Sequence, residues 1–217
     1  STGGWLKTNW TQSSPYNSKC PIDPSNNNRS IAGCPSIAMG QILNFHREIN
    51  ATQINATDAY EMYTSEDIHY NIDADAETHS FPNFQALNTF LTEIDNVYNG
   101  DEALTNEQKA ALVFACGVAV KQSYSSEVSG NYFHNQVVNA FHKFGFNTAK
   151  MLDATEYMLF ERIADNMKQA LPAQLCVLQP GGAGHQVVVD GYNTDNFYHF
   201  NFGWGGQSNG WYKLSVL

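Results

Sequence analysis

Positive charge is scarce in this chain: 11 Lys and Arg stand against 21 Asp and Glu, for a formal net charge of −10. A surface of that sign repels phosphate backbones and anionic headgroups, which argues against nucleic acid and anionic membranes as partners. Long apolar runs are missing as well. No stretch of about 18 apolar residues occurs, so no membrane-spanning helix is expected. The first residues, Ser1-Thr2-Gly3-Gly4-Trp5, lack a basic stretch followed by an apolar one, so a signal peptide is expected to be absent or already removed. Cysteine is sparse. Cys20, Cys34, Cys116 and Cys176 fit neither a zinc motif nor a dense disulfide scaffold. Repeats and low-complexity segments are absent. No metal or organic cofactor is expected.

What is present is core. Hydrophobic residues make up 42% of the 217 and charged residues only 15%, enough for one substantial domain or a two-lobed one with a cleft. Aromatics at 13% point to an aromatic-lined core or groove. The first part of the chain reads as helical. Residues 35–49 form one pattern and Phe84 to Leu91 another. Thr105 is an N-cap with Gln108 at the capping-box position. Residues 131–144 carry Val137, Val138, Phe141 and Phe144 on one face and stop at Gly145. Thr155 to Leu171 stops at Pro172. After Pro172 the texture changes to short β-rich runs: Leu175–Leu178, Gln186–Asp190, Phe197–Asn201 and Trp211–Leu214. Helices before strands predict an α+β fold with an antiparallel sheet. Cys116 and Cys176 fall in apolar helix and strand patterns and are expected to be buried and unpaired. Cys20, in a polar loop, is read as either free or paired.

Three stretches carry chemistry. In Gly33-Cys34-Pro35-Ser36-Ile37-Ala38, a glycine turn precedes a cysteine, and proline follows at the first helical position. A cysteine at a helix start meets unsatisfied N–H groups and the positive end of the dipole, and both favour the nucleophilic thiolate. Taken alone, the stretch also fits a small buried structural cysteine near a helix start. In Gly181-Gly182-Ala183-Gly184-His185, glycines make a loop and His185 opens the apolar strand Val187-Val188-Val189. A cysteine on the helical side and a histidine on the sheet side would meet across a cleft, the pairing needed for acyl transfer. Third, Asn201 lies 16 residues past His185, within reach of a return hairpin. Its amide oxygen is expected to accept the imidazole N–H and fix the tautomer, with Trp204 shielding the bond. The competing acceptor is a backbone carbonyl near Phe202 or Gly203.

Together these stretches resemble the streptopain family of bacterial cysteine peptidases, a papain-like clan. The matching residues are Gln12 to Asn17, Gly33-Cys34 with Ala38 and Gln41-Ile42, Gly184-His185 with Val189-Asp190-Gly191, and Asn196 to His199 with Asn201 and Gly203-Trp204-Gly205-Gly206. Two departures are Pro35, which removes one N–H from the helix start, and Phe202, where the family more often has a second tryptophan. The resemblance implies a two-lobed papain-like fold over 1–217, with about 1–150 mainly helical and about 151–217 mainly β. It implies a mature catalytic domain of a zymogen, secreted or displayed at a bacterial surface. The family's nucleophile falls on Cys34, its base on His185 and its oxyanion-stabilising glutamine on Gln12, while Asn201 and Trp204 match the segment that supports the histidine. Gln12 is expected to be held at the cleft by the turn Ser13-Ser14-Pro15. Polypeptides are then the substrates, a propeptide or proteinaceous inhibitor the partner, and the protein a monomer. Two other readings stand beside endopeptidase: acyl transfer to another amine by the same dyad, and an inactive papain-like binding protein.

Overall fold

The computed structural model describes residues 3–63, 68–131, 133–178 and 184–214. Its elements in chain order are α1 (Cys34–His46), β1 (Tyr60–Tyr63), β2 (His69–Ile72), α2 (Phe84–Asn99), α3 (Asn106–Ala119), α4 (Asn135–Lys143), α5 (Leu159–Lys168), β3 (Ala173–Leu178), β4 (Gly184–Tyr192), β5 (Phe197–Asn201) and β6 (Gly210–Lys213). This is the expected α+β order. The expected loop at Gly181-Gly182-Ala183 lies outside the described residues. Among the described residues, no helix is long and apolar enough to cross a membrane.

Side-chain caps set the starts of α2 and α3. The Thr105 hydroxyl accepts the Gln108 N–H at 3.2 Å, and the Gln108 side chain accepts the Thr105 N–H at 3.0 Å. That closed capping box starts α3, whose residues Ala110 to Val118 are all buried. A helix apolar on every side belongs in the middle of a core, and α3 packs against α1, α2 and α4. In α2, Phe84, Leu87, Leu91, Ile94 and Tyr98 are buried at spacings of three and four, the single stripe of a helix lying on a core. The last helix is shorter than its sequence pattern. It begins at Leu159 rather than Thr155, after Met158 in the left-handed region (φ 63°).

The main sheet is an antiparallel meander in the order β3-β4-β5-β6, and β1 and β2 form a separate hairpin. Strand β4 decides how the molecule closes. From His185 to Gly191 every residue is buried. Val188 packs with Ala38 and Ile42 of α1 on one face. Val187 and Val189 pack with Ile163, Ala164 and Met167 of α5 on the other. A strand covered on both faces loses polar alternation, which is why Val187-Val188-Val189 reads as a continuous apolar run. Its neighbour β3 is an edge strand. Cys176 is exposed, not buried as expected, because among the described residues β3 pairs along one side only, with β4. Cys20 and Cys116 are fully buried, and all four cysteines are free.

Candidate active site

The site forms where the start of α1 meets the start of β4. Gly33 caps α1 at φ 79°, a conformation that suits glycine. A side chain there would also run into the Gln122 amide, whose oxygen would lie 2.5 Å from the added carbon. Gln122 is fully buried. Its Nε2 donates to the Ala32 carbonyl at 2.6 Å, and its Oε1 accepts the Ser36 hydroxyl at 2.7 Å. The turn that presents Cys34 is thus clamped from both sides by one amide. Cys34 is the first residue of α1 and is half-buried.

The sulfur of Cys34 accepts the backbone N–H of Gln186 at 3.3 Å. Gln186 directly follows His185, so the structure brings the predicted cysteine and histidine segments together. His185 is 4% exposed. Its Nε2 lies 2.8 Å from the Phe202 carbonyl oxygen. A carbonyl can only accept, so Nε2 carries the hydrogen and Nδ1 is left as the acceptor nitrogen of the neutral ring. Trp204 stacks on the imidazole with centroids 4.6 Å apart and planes at 25°. Phe202 lies parallel at 6.2 Å and 11°, so the residue that departs from the family pattern still covers the ring.

Asn201 does not orient His185. Its Oδ1 accepts from Gln41 Nε2 at 3.1 Å and from the Gly203 N–H at 3.0 Å. Its Nδ2 donates to the Thr8 carbonyl at 2.8 Å. The expectation that its oxygen takes the imidazole N–H is therefore corrected in favour of the Phe202 carbonyl. The physical reason is register. Asn201 pairs with Val188, three residues along β4 from His185, and the chain must run past Asn201 before it reaches the ring.

Gln12 comes to the site through its backbone. Its carbonyl accepts the Ala32 N–H at 2.8 Å, two residues before Cys34. Thr11 pairs with Trp204 in an antiparallel bridge, and Gly205 N–H donates to the Trp10 carbonyl at 3.0 Å. One extended segment, residues 10–12, therefore touches both the turn before Cys34 and the loop that covers His185.

Burial is the main cause of the pKa directions here. It pushes the Cys34 thiol up, against the Gln186 N–H; exposed Cys176 adds a smaller push upward and the helix-start N–H of Cys34 a smaller pull down. It pushes the His185 imidazole down, against the Phe202 carbonyl. Both directions favour a neutral thiol beside a neutral ring, where the helix-start position alone suggested a thiolate. Desolvation outweighs the end of the dipole at a half-buried sulfur.

Four site glutamines have roles that the sequence did not assign: Gln41, Gln122, Gln174 and Gln186. Gln174 Nε2 donates to the Pro35 carbonyl at 3.3 Å and to Gln186 Oε1, and Gln186 Nε2 donates to Asn131 Oδ1 at 2.7 Å. The signal available was an amide interrupting an apolar run, as Gln41 does between Ala38 and Leu43. Among the described residues, no group of three or more His, Cys, Asp or Glu is placed to hold a metal ion. A cavity of about 350 Å³ opens beside His199 and Asn201, lined by Gly3, Gly4, Leu6, Lys7, Asn9 and Asn209, but it does not reach Cys34 or His185.

Residues 10–212 match the family model described as the peptidase C10 family. The chain belongs to the peptidase C10 family. It is 27% identical over 228 residues to streptopain of Streptococcus pyogenes, an alignment covering 96% of this chain and 54% of that protein. It is 25% identical over 223 residues to the thiol protease/hemagglutinin PrtT of Porphyromonas gingivalis, covering 96% of this chain and 23% of that one. The chain thus spans about half the length of streptopain and a quarter of PrtT. Among solved structures it superposes on active wild-type interpain A cysteine protease of Prevotella intermedia with a TM-score of 0.70 at 23% identity, covering 98% of this chain and 86% of the other. A prointerpain A fragment superposes with a TM-score of 0.71, also at 23% identity, covering 99% and 66%. The fold of this C10 family member is papain-like.

Proposed function

We propose that this chain is the catalytic domain of a cysteine endopeptidase, with about 1–150 as its mainly helical lobe and about 151–217 as its mainly β lobe. The observation that carries the reading is the contact between the Cys34 sulfur and the residue next to His185, at a ring whose outer nitrogen is already committed to the Phe202 carbonyl. That commitment leaves Nδ1 free to take a proton from the thiol.

As the sulfur attacks the scissile carbonyl carbon, the thiol proton passes to His185 Nδ1. The ring becomes imidazolium and the carbonyl oxygen becomes an oxyanion. The Cys34 N–H and the Gln12 side-chain amide stabilise that oxygen, and loss of one such donor typically costs about 2.7–4 kcal/mol of barrier. Collapse breaks the C–N bond, and the leaving amine takes the proton from Nδ1. The acyl-enzyme remains, with the acyl carbon on sulfur. Water then loses a proton to Nδ1 as it attacks the acyl carbon, the C–S bond breaks to release the carboxylic acid, and the proton returns from Nδ1 to the sulfur to restore the thiol. Trp204, stacked on the ring, keeps bulk water from the Nε2–carbonyl bond. The reaction as written consumes no cofactor.

Polypeptides are the substrates this reading implies, and a propeptide the partner; the solved prointerpain A fragment supports the latter. Secretion or surface display by a bacterium fits the bacterial sources of streptopain and PrtT. Cys34→Ala tests the reading. Peptide hydrolysis should fall by at least about 10⁴-fold with the fold intact, since loss of a nucleophile removes the whole covalent route. Residual activity within tenfold of wild type would refute it.

A further inference from the structure

Gln41 is a buried amide that the reaction steps above do not use. It is fully buried, seven residues past Cys34 on α1. Seven residues are two turns, and the drift is only about 20°. The nucleophile and this amide therefore share one face of one rigid helix. Gln41 Oε1 accepts the Thr8 hydroxyl at 2.7 Å and the Trp10 N–H at 3.3 Å. Gln41 Nε2 donates to Asn201 Oδ1 at 3.1 Å, and Asn201 Nδ2 reaches back to Gln41 Oε1 at 3.3 Å.

Each partner leads to another part of the site. Asn201 Oδ1 also accepts the Gly203 N–H, so Asn201 and Gly203 bracket the Phe202 carbonyl that holds His185. Gly203 itself sits at φ 69°, and a Cβ there would lie 2.9 Å from Ile37 of α1, so this loop rides directly on the helix that carries Cys34. Trp10 lies two residues before Gln12, in the segment bridged to Trp204. One amide thus joins the Cys34 helix, the peptide that orients His185 and the segment that carries Gln12.

We propose that Gln41 is a positioning residue, resting on the peptidase reading above: through Asn201 and Trp10 it sets the spacing between the Cys34 sulfur, His185 Nδ1 and the Gln12 amide. Proton transfer and nucleophilic attack depend steeply on that spacing, and a misplacement of about 1 Å can cost about 10²-fold in rate.

The test is Gln41→Met, which keeps the length of the side chain and removes its amide. The variant's kcat should fall about 10- to 100-fold, while KM stays within about twofold, the pattern of an effect confined to the transition state. The pH profile of Cys34 alkylation by iodoacetamide should shift as well, because thiol and ring no longer keep their distance. A purely structural role would lower the urea midpoint and leave both readouts alone. The double variant Gln41→Met/Asn201→Ala should be no slower than the slower single variant, since both cut the same link. A folded Gln41→Met with kcat within about twofold of wild type and an unshifted alkylation profile overturns the proposal, as does simple additivity in the double variant. Should Gln41→Met not fold, Thr8→Val removes only the hydroxyl that holds Gln41. A kcat about threefold lower at unchanged KM is then expected, and a wild-type kcat overturns the proposal. Failure of the underlying reading looks different: wild type would not cleave peptides, or Cys34→Ala would still cleave them.

Discussion

Two buried histidines sit on neighbouring strands of the same sheet and are held in opposite ways. His199 on β5 is paired through Nδ1 with the fully buried Asp190 carboxylate at 2.6 Å. Asp190 also accepts the Leu6 N–H at 2.8 Å, and Gly4 approaches so closely that a Cβ there would lie 2.2 Å from the carboxylate. Trp211 meets the His199 ring edge to face. His185 on β4 has a neutral carbonyl as its acceptor and a stacked indole as its cover. The Asp190 carboxylate ties a ring and a backbone N–H together through its two oxygens, whereas the Phe202 carbonyl engages one nitrogen of His185 and leaves the other available for proton transfer. The first arrangement makes a tie that anchors the N-terminal segment to the sheet. The second makes a ring able to take a proton and give it back.

The comparison can be broken most directly at the rings themselves. His185→Ala should reduce kcat for peptide hydrolysis by about 10³-fold or more, with the urea midpoint little changed, because the proposed base is lost and the core is not. His199→Ala in the same assay should leave kcat per folded molecule within about twofold. If the two variants exchange these outcomes, the roles are reversed. On stability the order inverts. Asp190→Ala should cost about 3–5 kcal/mol of unfolding free energy, because it leaves the Leu6 N–H and the His199 ring without their buried partner. Urea unfolding reads this directly, and a loss below about 1 kcal/mol would mean that the pair anchors nothing.

The smallest expected effect is in pH. Burial lowers the His185 pKa in the folded chain. The unfolded chain therefore binds more protons as pH falls below about 6.5, the ordinary histidine value. Stability contributed by the neutral ring is present above that value and is lost on acidification toward the lower folded pKa. The urea midpoint should fall between pH 7.5 and pH 5.5, and His185→Gln should fall less over the same range. Equal slopes would place the titration elsewhere, for example at His46, whose pKa burial also lowers.

Elements with local signals were legible in the chain itself. The Thr105 capping box, the Gly33-Cys34-Pro35 helix start and the unbroken Val187-Val188-Val189 run each carry their cause within a few residues, so α1 and α3 begin where their sequence places them and β4 contains its expected run, although α1 ends at His46 and not at residue 49. The pairing of a cysteine segment with a histidine segment was legible for the same reason, since both lie at element starts. One feature was not. Cys176 has an apolar strand pattern but lies on the edge strand β3, and strand order is no property of the strand's own residues.

Sequence by itself therefore determined which residue types stand at which element ends: a cysteine after a glycine turn, a histidine opening a buried strand, an asparagine and a tryptophan in the return hairpin. Tertiary structure alone decided which atoms meet. It gave the His185 N–H to the Phe202 carbonyl and bound Asn201 to Gln41 across 160 residues of chain. The reason is physical. Caps and periodicity are set by neighbours along the chain, within a turn or two of helix or strand. The partner of a buried amide is set by how two packed layers register against each other, and that register is the summed outcome of the apolar contacts between α1 and β4.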